Sequence, residues 1–128
     1  MLNLVLVGVG GAVGSICRYL VGMGALRLLG PAFPWGTLIV NLFGSFLIGV
    51  LVELIVARFA ASSELRLFLV TGFLGGFTTF SSFSLDAFAL YERGEVVPAF
   101  AYVAASLVLS LAAVAAGVVV TRSILQAL

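Results

Sequence analysis

The sequence has no histidine, no lysine and a single cysteine in 128 residues, and only 9% of its residues are charged. Each absence excludes something. With no histidine and only Cys17, there is no His/Cys set to hold zinc and no intrachain disulfide; a small buried apolar residue is the ordinary role of such a cysteine. Six arginines against five acids leave a net charge of +1, with no basic tail to hold nucleic acid. A soluble domain of this size carries about 25% charged residues. This chain is 63% hydrophobic, so its solvent is lipid. At about 20 apolar residues per helical crossing, four crossings use nearly the whole length. No two carboxylates fall together within one crossing, which with the missing histidine argues against an enzyme.

The charges punctuate the chain and mark the ends of the crossings. The first span, residues 4–29, is interrupted by Arg18 and Arg27 and ended by the breakers Gly30-Pro31 and Pro34. MLNLVLVGVGG has neither the positive n-region nor the A-x-A-like site of a cleaved signal peptide, and reads as the start of that span. The second, 35–57, has Trp35 where an aromatic belt sits and Glu53 and Arg58 near its exit. The third, 65–91, follows SSELR, an N-cap pattern at Ser62 or Ser63 with acidic Glu64 behind it. The fourth, 97–122, carries Pro98 in its first turn and Arg122 at its end. Arginines divide almost evenly between the two faces, so the positive-inside rule gives no orientation. A dimer of one chain up and one chain down follows as a hypothesis.

Gly8 to Gly14 does not fit G-x-G-x-x-G and follows no strand, which excludes a dinucleotide site. Gly10 and Gly14, and the small residues Gly44, Ser45 and Gly49, are spaced to let another helix approach closely. Arg18 and Asn41 lie inside their spans, where an arginine or an unpartnered amide is costly. Each is either a functional group or an anchor between helices. Gly75-Gly76 is a poor helix interior, and is either a break that frees the carbonyls from Gly75 to Thr78 for a cation or a step of tight packing. At about 1.5 Å of rise per residue, Gly75-Gly76 falls roughly 15 Å deep, while Arg18, Asn41 and Phe80 share a level roughly 8–9 Å from the face that carries no terminus. Tyr102 and Ser106 fall within one turn of it.

The run GGFTTFSSFS, Gly75 to Ser84, places aromatic and hydroxyl groups side by side. Phe80 and Phe83 are three apart, and Thr78, Ser81 and Ser82 are related by three or four, so each species forms a stripe. Ser106 and Ser110, four apart, are able to face it from the fourth span. Neutral donors and the positive edges of aromatic rings would suit a small, hard anion that has to leave again.

GGAVGSICRYL (Gly10 to Leu20), WGTLIVNLFGSFLIG (Trp35 to Gly49) and above all TGFLGGFTTFSSFS (Thr71 to Ser84) resemble the Fluc/CrcB family of fluoride channels. The resemblance covers almost the whole chain. It implies an all-α membrane protein of the bacterial inner membrane with four transmembrane helices, the third broken near Gly75-Gly76, assembled as an antiparallel, dual-topology homodimer that exports fluoride passively. It further implies a structural sodium ion at the dimer axis, held by the backbone carbonyls of Gly75 and Thr78. Phe80 and Phe83 match the aromatic residues whose edges face fluoride, and Asn41 matches the pore asparagine. Ser81, Tyr102, Ser106 and Ser110 match positions along the polar track. Arg18 and Asp86 are expected in vestibule or structural roles, with Asp86 standing where relatives carry a glutamate.

Two other classes compete. A small dual-topology multidrug transporter needs an acidic residue inside the membrane to exchange protons for cationic drugs, whereas the first carboxylate side chain, Glu53, lies near a span end. A structural subunit would leave Asn41 and the hydroxyls as bonds between helices.

Overall fold

The computed structural model describes residues 1–58 and 63–128. Four helical segments in it are long and apolar enough to cross a membrane. Helix α1 runs Leu2–Leu29, and α2 runs Trp35–Arg58. The third crossing, Ser63–Glu92, is composite: α3 (Ser63–Arg66), a π-helical stretch (Leu67–Leu74), α4 (Gly75–Phe77) and, after an interruption, α5 (Phe80–Glu92). Helix α6, Val96–Ala127, is the longest at 32 residues. Of the two expected N-caps, Ser62 lies outside the described residues, while Ser63 opens α3. Gly30 and Gly94, both with positive φ (81° and 79°), end α1 and turn the chain between α5 and α6. This is backbone that glycine adopts without strain.

Lipid tails supply no hydrophobic drive between helices, so close approach and hydrogen bonds must hold the bundle. Two glycine seams provide the approach. Gly10 and Gly14 of α1 lie against the backbone of the third crossing at Phe68, Gly72, Phe73 and Phe77, and Gly76 lies against Gly11. Gly49 of α2 and Gly117 of α6 meet each other, with Cβ positions that would run into the facing backbone. At the end of this second seam Arg122 grips Glu53 with two hydrogen bonds, Nη2 to Oε1 at 2.6 Å and Nε to Oε2 at 3.3 Å.

The third crossing is broken close to the expected glycine pair, and the structure refines the place. Gly75 and Gly76 are helical, and the break falls after them, at Thr78-Thr79, where both residues are extended (ψ 157° and 121°). The glycine pair serves packing instead, with Gly76 seated on Gly11.

The core lies where α2, α5 and α6 meet. Leu38, Phe83, Leu90, Ala99 and Tyr102 are buried together, with Phe33, Leu42, Ala87 and Val103 packed against them. Many other large apolar side chains, such as Leu4, Leu85 and Leu111, point outward, as suits helices whose surroundings are lipid.

Candidate functional site

The break is built by a side chain from another helix. Asn41 of α2 donates from Nδ2 to the carbonyl of Thr79 at 2.9 Å and accepts the N–H of Thr79 on Oδ1 at 2.8 Å. One amide thereby satisfies both backbone groups of an extended residue at membrane depth, where unpaired groups are tolerated only inside protein or beside a cavity. The N–H of Thr79, which would close on the Gly75 carbonyl in an unbroken helix, is turned to Asn41. Thr79 in turn caps α5: its Oγ1 accepts the N–H of Ser82 at 3.1 Å, which would otherwise close on the Thr78 carbonyl. The Thr78 hydroxyl folds back on the Leu74 carbonyl at 2.8 Å.

Beside the break is a cavity of about 370 Å³, lined among others by Asn41, Thr78, Thr79, Phe80, Phe83, Ser106 and Ser110. Phe80 and Phe83 have ring centroids 5.4 Å apart, tilted by 48°. They differ in setting, since Phe83 is 8% exposed and Phe80 74%. Ser106 is buried, and its Oγ is the one buried side-chain oxygen among the described residues with no hydrogen-bond partner. A hydroxyl in that position has a donor free for a guest. Among the described residues no charged side chain lines the cavity.

Two further cavities lie nearby, one sharing Thr79 with this one and the other sharing Gly22, Gly36 and Thr37 with the first. The first, about 280 Å³, brings Arg18 together with Ser15, Tyr19, Thr37, Thr79 and Ser82. Arg18 makes no ion pair among the described residues, so its charge is directed at this polar space. The second, about 330 Å³, contains Phe33, Trp35, Thr37, Asp86 and Arg93. In it Asp86 Oδ2 accepts from the Thr37 hydroxyl at 2.7 Å and from the Tyr102 hydroxyl at 3.3 Å.

A family model described as "CrcB-like protein, Camphor Resistance (CrcB)" matches residues 5–118. The chain belongs to the CrcB family. Its relatives include the "Fluoride-specific ion channel FluC" of Rhizobium etli, 62% identical over 124 residues that make up 97% of this chain and 99% of the relative. The protein of the same name from Agrobacterium fabrum is likewise 62% identical over 124 residues, with the same coverage. "Fluoride-specific ion channel FluC 1" of Nitrobacter hamburgensis is 54% identical over 116 residues, 91% of this chain and 92% of the relative. With four apolar crossings and these relatives, this CrcB family member is a multi-pass protein of the cell membrane and not an enzyme.

Within this CrcB fold Asn41, Phe80, Phe83, Ser106 and Ser110 come together in one cavity, with Thr78 at its edge. Tyr102 stands directly behind Phe83, their centroids 5.3 Å apart. Ser81 lies outside that cavity, exposed, with its Oγ 3.3 Å from Thr79 Oγ1. The single hydroxyl stripe through Thr78, Ser81 and Ser82 does not form, because the break puts Thr78 out of register with α5. The hydroxyl-bearing residues that share the cavity with Ser106 and Ser110 are Ser45, Thr78 and Thr79. Sequence reasoning missed Thr79, the hinge of the site, and Thr37. The Thr79-x-x-Ser82 spacing of an N-cap was a signal for the former; Thr37 offered none beyond being a hydroxyl near the start of a span.

Proposed function

We propose that this chain conducts fluoride passively across the cell membrane and so lowers fluoride inside the cell. The observation that carries the reading is the cavity in which Asn41, two phenylalanine rings and the free hydroxyl of Ser106 converge, with no charged side chain among the described residues that line it. Hydroxyl donors and positive ring edges attract an anion that has shed its water. A fixed cation in the same space would hold it too long. Arg18 stands beside the cavity, where it attracts anions toward the path without trapping them in it.

Phe80, three-quarters exposed, leaves one side of the path open in a single chain, and a second copy is the natural cover. In an antiparallel homodimer the two breaks near mid-span face each other. The Gly75 and Thr78 carbonyls have both lost their helical N–H partners, to Asn41 and to the Thr79 hydroxyl. They fit a hard, oxygen-seeking cation such as sodium, with two oxygens from each chain. Bound there, sodium supplies a fixed charge that ties the two breaks together. A C-terminal reporter legible from both sides of the membrane is expected; a signal from one side only would remove both the antiparallel pair and its shared cation.

The function itself is tested by fluoride efflux from liposomes, followed with a fluoride electrode after a potassium ionophore is added, with chloride-loaded liposomes as comparison. Rapid fluoride release without matching chloride release is expected. Phe80→Ile removes the ring edge yet keeps an apolar side chain, and should slow fluoride by at least about tenfold while the protein elutes as the wild type. Undiminished flux would take the aromatic lining out of the mechanism.

A further inference from the structure

Five aromatic rings form a continuous file through the molecule. Trp35 lies 4.7 Å from Phe33, Phe33 5.4 Å from Tyr102, Tyr102 5.3 Å from Phe83 and Phe83 5.4 Å from Phe80, between ring centroids. One contact differs in kind. Phe33 meets Tyr102 at 89°, edge to face, whereas the other three pairs are tilted by 44–51°. The edge-to-face arrangement sets the positive rim of one ring against the negative face of the other and is sensitive to orientation.

Tyr102 is 0% exposed and has a ring from a different cavity on each side. Phe83 lines the Asn41 cavity, and Phe33 lines the Asp86 cavity. The Tyr102 ring therefore stands between a wall residue of one space and a wall residue of the other. Its hydroxyl reaches Asp86 at 3.3 Å, a long bond for O–H to O, and the rings on its two sides supply the rest of its packing. Phe33 belongs to no helix: it sits in the short connection between α1 and α2, tied to α2 by the bond from Trp35 N–H to its carbonyl at 2.8 Å.

Resting on the fluoride reading above, we propose that Phe33 is a positioning residue for Tyr102. Its edge-to-face contact holds the ring that stands between the walls of the Asn41 cavity and the Asp86 cavity, and so the α1–α2 connection sets how fast fluoride passes between them. Leucine at position 33 would fill part of the space without the ring rim, and Tyr102 would lose the contact that orients it.

The test is fluoride efflux from liposomes for the wild type, Phe33→Leu, Phe33→Tyr, Tyr102→Leu and the double variant Phe33→Leu/Tyr102→Leu, each first shown to elute as the wild-type species. Phe33→Leu is expected to run about three- to tenfold slower, the range set by aromatic pair strength. Phe33→Tyr, which keeps the rim, should restore the rate to within about twofold. In the Tyr102→Leu background, Phe33→Leu should add nothing, because its effect passes through the missing ring. A wild-type rate from Phe33→Leu, or the same fold loss in both backgrounds, would overturn the inference. A silent wild type would overturn the fluoride reading beneath it, a failure recognisable because it appears in the unmodified chain.

Discussion

Asn41→Asp is expected to cut fluoride flux by a hundredfold or more in a protein that still folds. The amide of Asn41 has two jobs on one residue, accepting the Thr79 N–H at 2.8 Å and donating to the Thr79 carbonyl at 2.9 Å. Aspartate has nearly the same shape and keeps the accepting half, so the break at Thr78-Thr79 retains its anchor. What changes is the loss of the donated bond to the Thr79 carbonyl and, with larger effect on an anion, the charge on the cavity wall. An anion about 5 Å from a carboxylate, at an effective dielectric constant of about 20, is repelled by about 3 kcal/mol, which exceeds a hundredfold in rate. Asn41→Leu tests the other half of the argument. It strands both the N–H and the carbonyl of Thr79 at membrane depth, each at a cost of about 1–3 kcal/mol, and should lower the yield of folded protein as well as the flux. Efflux and elution profile measured together separate the two. If Asn41→Asp conducts like the wild type, Asn41 is only a clamp between helices and the anion path runs elsewhere.

That clamp also explains why the break falls just beyond the glycine pair rather than on it. Local propensity points to Gly75-Gly76, since glycine is the weakest helix former in the run. The decision is made by a residue 38 positions earlier in the chain, and the local N-cap pattern of Thr79 takes effect only once that residue has opened the helix. Gly76 is packed on Gly11 of α1, and the neighbouring π-helical turn at Leu67–Leu74 belongs to the same crowded seam. Features carried by periodicity were legible. Gly10 and Gly14 share a face, and the structure uses that face for close approach. Ser106 and Ser110 also share one, and the structure turns it to the phenylalanines. The common depth of Asn41 and Phe80 followed from counting residues along straight spans, which works because most of the chain is regular helix. Contacts from irregular backbone were not legible: Phe33 meets Tyr102 from a connection whose path no periodicity describes, and Thr79 gains its role only once the break exists.

Gly14→Leu should cause the largest loss of folded protein. A Cβ at position 14 would run into the Phe73 carbonyl and come within 2.9 Å of the Phe77 nitrogen. These are backbone atoms that have no rotamer to escape into. Overpacking a core costs about 1–3 kcal/mol when side chains can move aside, and more when they cannot. Here α1 would have to lift from the third crossing along its whole seam, since Gly10 and Gly11 meet Gly72 and Gly76 on the same line. Phe77, 4% exposed, is stacked on Phe73 with centroids 5.6 Å apart and planes within 9°. It would be displaced with the seam, and Thr78 and Thr79 follow it directly in the chain. The defect thus reaches the break, and flux should fall with yield. Gly24→Ala is the matching control: nothing lies within 4 Å of its Cβ position, so a methyl group meets open space and favours the helix by about 1 kcal/mol. Elution profile and Tm in detergent read both variants. A monodisperse, wild-type-stable Gly14→Leu would mean that α1 is not seated on the third crossing. The expected collapse would tie the anion path to a helix that contributes no side chain to the Asn41 cavity, because the seam under Gly14 is what holds the broken crossing in place for Asn41 to clasp.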